Sequence, residues 1–246
     1  MSGLLPLQRS EIDCQELIPI LFYKTQPHHA VELSLLLRVL KIPYRLRPSE
    51  EYNNISLIKI LDPNGNNPIM YDENNEMYLS EQSAIIEYLL DTYDINYKIS
   101  FPRGTKEYYT AKQFHGLQSR YTAAITTLGK LRPSNALLSD FQKVVEEGLS
   151  MLENALNDRL PGMDLNSMTI IGKRSSYVDI LFLCWIFVFV NGRSPGPFTK
   201  AYPLVHCWWM RLLGSKVVQN VFSLCIPAKD KKEQETVVQI DETPQV

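Results

Sequence analysis

The sequence predicts an α+β module followed by an all-α one. Three observations point there. In roughly the first 94 residues, short β-prone runs alternate with segments of helical period. Residues 95–105, which contain "SFPRGT", carry no helical period. Beyond them every periodic segment reads as helix and no convincing strand recurs.

The first module reads β-α-β-(α)-β-β-α. "IPILFY" (18–23) is apolar and β-prone, a buried strand. "TQPHHAVELSLLLRVLKI" follows, with Val31, Leu33, Leu36, Leu37 and Leu40 at helical spacing and Pro27 in the first turn. "PYRLRP" reads as a second strand, and residues 49–56 are polar and irregular. "SLIKILDPNG" ends in a Pro-Asn-Gly turn. "PIMYD" and "EMYLS" are short strands joined by the "ENN" turn, and a helix runs from about Glu81 to Tyr93. The module therefore needs a four-stranded sheet.

In the second module, residues 106–130, 137–158, 176–191 and 201–214 read as helices. "SSYVD" places Ser176 at an N-cap with Asp179 three residues on, a capping box with Asp in the usual Glu/Gln role. It opens the most apolar stretch of the chain, "ILFLCWIFVFV" (180–190), which falls well short of the roughly 20 residues that span a bilayer and reads as a buried core helix. Leu204, Trp208 and Leu212 form a core-facing stripe. The end, "AKDKKEQETVVQIDETPQV", is charged and lacks aromatics, so disorder is expected. The domains are 17–94, a linker 95–105, 106–228, and a tail 229–246.

Composition excludes several classes of function. The 246 residues are 45% hydrophobic and 21% charged, as in soluble globular proteins. A net charge of −2 gives no basic stripe for nucleic acid. Cys14, Cys184, Cys207 and Cys225 are far apart and form no CxxC pair, which argues against zinc and disulfides and for a reducing, cytoplasmic setting. No metal is expected. "MSGLLPLQRSEIDC" has no basic region followed by a long apolar core, so no signal peptide is expected.

Four motifs, in order, resemble the cytosolic glutathione transferase family. "TQPHHAVELSLLLRVLKIPY" resembles the first helix of its theta-class and fungal forms. "LDPNGNNPIMYD" resembles its turn and the strand that begins with a cis-proline, here Pro68. "YLSEQSAIIEYL" resembles its glutamate-serine pair and following helix. "SSYVDILF" resembles its helical-domain capping box. The resemblance covers about residues 17–228. It implies a thioredoxin-like N-terminal domain and an all-helical C-terminal domain, with glutathione as co-substrate, and an Asn67–Pro68 bond in cis. It also implies a homodimer, for which C2 symmetry is the commonest assembly in any case.

The resemblance also implies roles for residues. The backbone of Asn67, before Pro68, would pair with the cysteinyl backbone of glutathione, a β-augmentation of a tripeptide. Glu81 and Gln82 sit at a helix start, where N–H groups and the dipole favour a carboxylate. Gln82 donors would suit the γ-glutamyl carboxylate and the Glu81 carboxylate its ammonium. The family has serine where this chain has Gln82, and the longer side chain loosens that fit.

Conjugation needs the thiolate of glutathione, and a free thiol titrates near pH 8.5, so the site must favour the anion. "FYKTQPHHAV" offers three candidates. Thr25 falls at the theta-like serine, Tyr23 near the tyrosine of other classes, and His28 where some fungal members carry asparagine. Each has a plainer reading: Thr25 as a helix N-cap, Tyr23 as core, His28 and His29 as solvated residues about 100° apart on a helix. No cysteine lies in this stretch, which argues against thiol exchange. Tyr108, His115 and Tyr121 on the long helix are candidates for the wall of the electrophile site, though tyrosines there also serve as packing. The function expected is transfer of glutathione to a small hydrophobic electrophile, in detoxification or biosynthesis. The alternative is a non-catalytic relative that acts as a binding or regulatory module.

Overall fold

The computed structural model describes residues 17–18, 20–23, 27–47, 60, 68–130, 135–162, 164–187, 200–225 and 237–238. For 21–23, 27–28, 129–130, 135–138, 224–225 and 237–238 the backbone alone is described. Two compact units divide the chain. One comprises Met1–Thr25, Leu37–Lys98 and Glu233–Val246, the other Gln26–Leu36 and Ile99–Lys232.

The first unit is built on a sheet of order β4-β3-β1-β2-β5. β1 (Ile20–Tyr23) runs parallel to β2 (Tyr44–Arg47), the two joined through helix α1 (Pro27–Val39), as a parallel pair requires. β3 (Ile69–Asp72) lies antiparallel to β1 and pairs with β4 (Met77–Ser80) in a hairpin closed by a 3₁₀ turn, Glu73–Asn75. Helix α2 (Gln82–Tyr93) follows at once. It buries Ile85, Ile86, Leu89 and Leu90, a stripe at helical spacing. These elements match the order read from the sequence and are the thioredoxin-like module. Of the stretch expected to hold a helix between the second and third strands only Ile60, helical and exposed, is among the described residues; Thr25 and Asn67 lie outside them. No cis peptide bond occurs among the described residues, and the Asn67–Pro68 bond begins outside them.

Two features differ from expectation. The sheet has a fifth strand: β5 (Val237–Val238), within the tail expected to lack structure, pairs antiparallel with β2, Tyr44 opposite Val238 and Arg45 opposite Val237. Two adjacent β-branched residues suit a strand, and the edge of β2 would otherwise be open. In α1, every residue from Ala30 to Leu37 is buried, including Glu32 and Ser34. A helix buried on all faces is usually apolar all round. Each buried leucine favours folding by about 1.5–3 kcal/mol relative to exposure, which leaves room for two polar residues.

The second unit is helical, as expected. It contains α3 (Lys106–Lys130), α4 (Asn135–Asn157), α5 (Tyr177–Trp185), α6 (Pro203–Leu213) and α7 (Lys216–Cys225). The last was not among the helices expected from the sequence. The capping box at Ser176 and Asp179 forms. The Asp179 carboxylate accepts hydrogen bonds from the Ser176 backbone N–H (2.8 Å) and hydroxyl (2.9 Å), the Ile170 N–H (3.0 Å) and the Trp208 indole N–H (2.9 Å). The group is fully buried, and burial holds its carboxyl above the usual carboxylate range, the donors pulling it down. The helix it opens is buried from Tyr177 to Trp185. On α6 the buried face is Val205, Trp208 and Trp209, with Leu204 and Leu212 only half-buried.

Candidate functional site

The hairpin register answers why a proline and a polar cluster stand so close in the sequence. Ile69 pairs with Ser80 as the last rung of the ladder, and Pro68 and Glu81 are the next residues on its two strands. Proline cannot donate a ladder hydrogen bond, so the ladder ends there. Pro68 is buried and Glu81 is exposed. Strand start and helix start thus share the open end of the hairpin.

Glu81 has φ 71° and ψ 119°, a backbone conformation that L side chains rarely adopt. Such strain costs on the order of 1–3 kcal/mol and clusters at functional sites. It lets the chain turn from β4 into α2 with no intervening loop. The Glu81 carbonyl accepts the first helical bond, from Ile85 N–H at 3.0 Å. Its side chain makes no capping hydrogen bond, and the first turn of α2 contains no acid. The helix start therefore keeps N–H donors and a positive dipole end with no carboxylate of its own in the turn. Gln82 is half-buried and Ser83 exposed there.

The opposite end of the hairpin is fastened by a residue that sequence reasoning missed. Asp72 is fully buried, and its Oδ2 accepts hydrogen bonds from the Tyr88 hydroxyl (2.6 Å), the Tyr93 hydroxyl (2.5 Å) and Asn75 Nδ2 (3.0 Å). Its Oδ1 accepts from the Asn74 backbone N–H (3.0 Å) and Nδ2 (2.9 Å). Asn74 in turn bonds both the N–H and the carbonyl of Ile18, ahead of β1. Burial pushes the Asp72 carboxyl up, but the bonds from Tyr88, Tyr93, Asn75 and Asn74 outweigh it and hold the group below its ordinary value. Burial, reinforced by Asp72, pushes both tyrosine hydroxyls well above the ordinary tyrosine value. The clasp ties the turn to the second half of α2. The one signal in the sequence was an Asp-x-Asn turn, which reads as a turn and nothing more.

The thiol-activating candidates belong to the β1–α1 connection. Tyr23 ends β1 and His28 lies in the first turn of α1; their side chains, and all of Thr25, lie outside the described residues. The candidates on α3 separate. Tyr108 is half-buried, its ring edge-on to Tyr109 at 5.2 Å and capped by the Lys112 ammonium at 5.0 Å. His115 is buried against Tyr177, ring centroids 5.8 Å apart. Tyr121 is buried against Trp185 at 6.1 Å, and it also touches an open cleft of about 630 Å³ along α4 lined by Lys143, Glu146, Ser150 and Met151. Of the three, Tyr108 has the most accessible ring. Among the described residues no group of three His, Cys, Asp or Glu could hold a metal, and no helix is long and apolar enough to cross a membrane.

Fold and hairpin define a thioredoxin-like module followed by a helical domain, the architecture of glutathione transferases. No protein-family model matches the chain. The glutathione S-transferase-like protein gedE of Aspergillus terreus is 24% identical over 229 residues, covering 86% of this chain and 98% of its own. A glutathione transferase homolog of Lodderomyces elongisporus, solved with two GSH per subunit, shares the fold at a TM-score of 0.68 and 24% identity, over 85% of this chain and 99% of that one. The transferase URE2P6 of Phanerochaete chrysosporium, solved with oxidized glutathione, does so at a TM-score of 0.70 and 22% identity, over 86% and 97%. In fold and in these relatives the chain is similar to glutathione transferases.

Proposed function

We propose that the chain binds glutathione at the open end of the β3–β4 hairpin and conjugates it, through its sulfur, to a small hydrophobic electrophile. The observation that carries this is the ladder that ends at Ile69 and Ser80, beside Pro68 and beside Glu81 at a helix start with no acid in its first turn. A peptide laid along the strand start finds backbone groups for its main chain and, beside it, N–H donors for its γ-glutamyl carboxylate. The Glu81 carboxylate meets its ammonium, and Asn67 supplies the backbone pair. Glutathione-bound structures of the Lodderomyces and Phanerochaete proteins, which share this fold, support the choice of tripeptide.

The tripeptide sulfur then lies toward the β1–α1 connection. Thr25, Tyr23 or His28 donates a hydrogen bond that favours the thiolate, which attacks the electrophile while the leaving group departs or the thiol adds across an activated double bond. Tyr108, His115 and Tyr121 are the candidates for contact with the electrophile, Tyr108 having the most accessible ring. The protein acts as a cytoplasmic homodimer without a metal.

Calorimetry with glutathione tests the binding step. Micromolar to millimolar affinity that falls in Glu81→Ala upholds it, and equal affinity in parent and folded variant places the ligand elsewhere. A monomeric mass at micromolar concentration would remove the dimer. Gln82, at the family's serine position, favours a second reading in which the site binds glutathione without activating it. A bound thiol that titrates where the free one does would select that reading.

A further inference from the structure

Glu32 sits in the middle of the apolar run of α1 and is fully buried. Its Oε1 accepts a hydrogen bond from Gln118 Nε2 on α3 at 2.9 Å, and the same nitrogen donates to Thr122 Oγ1 at 3.1 Å. All three residues belong to the helical unit. Glu32 Oε2 has no hydrogen-bond partner, and no ion pair reaches the carboxyl among the described residues. An ionised carboxylate in this setting would be desolvated with one amide donor and no cation, a far costlier arrangement than a neutral acid. Gln118 suits the acid in either amide orientation, because its carbonyl could accept an acid O–H. Only one orientation suits the carboxylate.

We propose that Glu32 is a neutral carboxylic acid that docks α1 on α3, and that it is a positioning residue for the start of α1. The consequence for catalysis rests on the glutathione reading, since Thr25 and His28 stand at that start; the protonation state does not. Burial pushes the Glu32 carboxyl well above the usual carboxylate range, with the Gln118 bond opposing. Its contribution to stability is therefore complete below the unfolded value of about 4.3 and is lost as pH rises through the folded value. The other ionisable groups on these elements are His28, His29 and Arg38 on α1, and Lys106, Glu107, Tyr108, Tyr109, Lys112, His115, Arg120, Tyr121 and Lys130 on α3; of these His29 lies one turn before Glu32, and Lys112 and His115 precede Gln118.

Infrared difference spectroscopy of the full chain, parent minus Glu32→Gln, is the test. At neutral pH the parent should show the carbonyl band of a protonated carboxyl that the variant lacks, while His29→Gln and His115→Gln keep it. Unfolding by urea from about pH 5 to 8 should show a decline in parent stability that Glu32→Gln loses. Glu32→Met, an apolar residue of similar length, should lose it too and serves if the amide variant does not fold. Absence of the band, or a stability profile unchanged in the variants, overturns the proposal. No readout here uses glutathione, so a protein with the acid band and no glutathione affinity refutes the functional reading and keeps this one. Where turnover is measurable, an alkaline fall in kcat present in the parent should be missing from Glu32→Gln.

Discussion

Tyr93 donates its hydroxyl to Asp72 Oδ2 at 2.5 Å, across the gap between the end of α2 and the β3–β4 turn. Tyr88 reaches the same oxygen at 2.6 Å. Hydrogen bonds to a charged group contribute about 1.5–3 kcal/mol each, so Tyr88→Phe and Tyr93→Phe should each destabilise by about that amount. The double variant should cost less than the sum, because the two share one acceptor. Urea unfolding measures both. Losses below about 0.5 kcal/mol, the level of an ordinary surface change, would mean that the clasp does not form in solution.

The clasp also sets an acid limit. The folded Asp72 carboxyl is held below its ordinary value, so its contribution is complete above the unfolded value of about 3.9 and is lost as pH falls through the folded value. Acid unfolding of the parent should therefore steepen below about pH 4, and Asp72→Asn should be less stable at neutral pH yet lack that steepening. A variant with the parent's acid profile would assign the limit to another carboxyl.

Glu81 should separate stability from binding. Its φ of 71° is strained for any residue with a Cβ, and glycine adopts it freely. Replacement by glycine relieves strain of about 1–3 kcal/mol but gives back about 0.5–1 kcal/mol of unfolded-chain entropy, for a net gain near 1 kcal/mol. The same change removes the carboxylate proposed for the ligand ammonium, at about 1.5–3 kcal/mol of affinity. Glu81→Gly should thus raise Tm and weaken glutathione binding together. A variant that melts earlier and binds equally well would contradict both halves.

What the sequence disclosed follows from how local each signal is. The hairpin and α2 were legible because two β-prone runs, a polar turn and a period of 3.6 lie within about 26 contiguous residues. The capping box was legible because Ser176 and Asp179 are three apart. The clasp was not, since nothing local ties Asp72 to tyrosines 16 and 21 residues away. The turn at Glu81 escaped because a positive φ away from glycine leaves no mark in composition. Helix α7 was overlooked because Val218, Val221 and Phe222 make a short stripe interrupted by Gln219 and Asn220. Strand β5 holds two residues in a charged tail, too few for a period. Pro68, Glu81 and Gln82 of the proposed glutathione site are described, whereas Thr25 and Asn67 lie outside the described residues.

Gly148 on α4 tests packing against α5. A Cβ there would stand 2.8 Å from the outer carbon of the fully buried Trp185 ring, closer than such contacts occur. Overpacking of this kind costs about 1–3 kcal/mol, while alanine in a helix recovers about 1 kcal/mol over glycine. Gly148→Ala should be destabilising by up to about 2 kcal/mol. Pairing it with Trp185→Phe, which vacates the contact, should restore the helix gain. Thermal unfolding of the single and double variants decides, and a stabilised single variant would mean that Trp185 moves aside at no cost.

Activation of the thiol is open to a direct comparison of the three candidates. If the Thr25 hydroxyl donates to the thiolate, Thr25→Ala should raise the pKa of bound glutathione and slow conjugation at neutral pH. A tenfold loss of thiol acidity corresponds to about 1.4 kcal/mol. Thr25→Ser keeps the donor and loses a methyl, so it should change little, and Tyr23→Phe and His28→Ala should likewise leave the thiol where it is. Titrating thiolate absorbance of the bound tripeptide in all four variants separates the candidates. A large change in Tyr23→Phe would move the role to the tyrosine. No change in any variant would leave it to backbone N–H groups at the start of α1, where the helix dipole already favours an anion. A bound thiol in the parent no more acidic than the free one would favour the non-catalytic reading. Glu81→Ala would then still weaken glutathione binding, because that residue acts on the other end of the ligand.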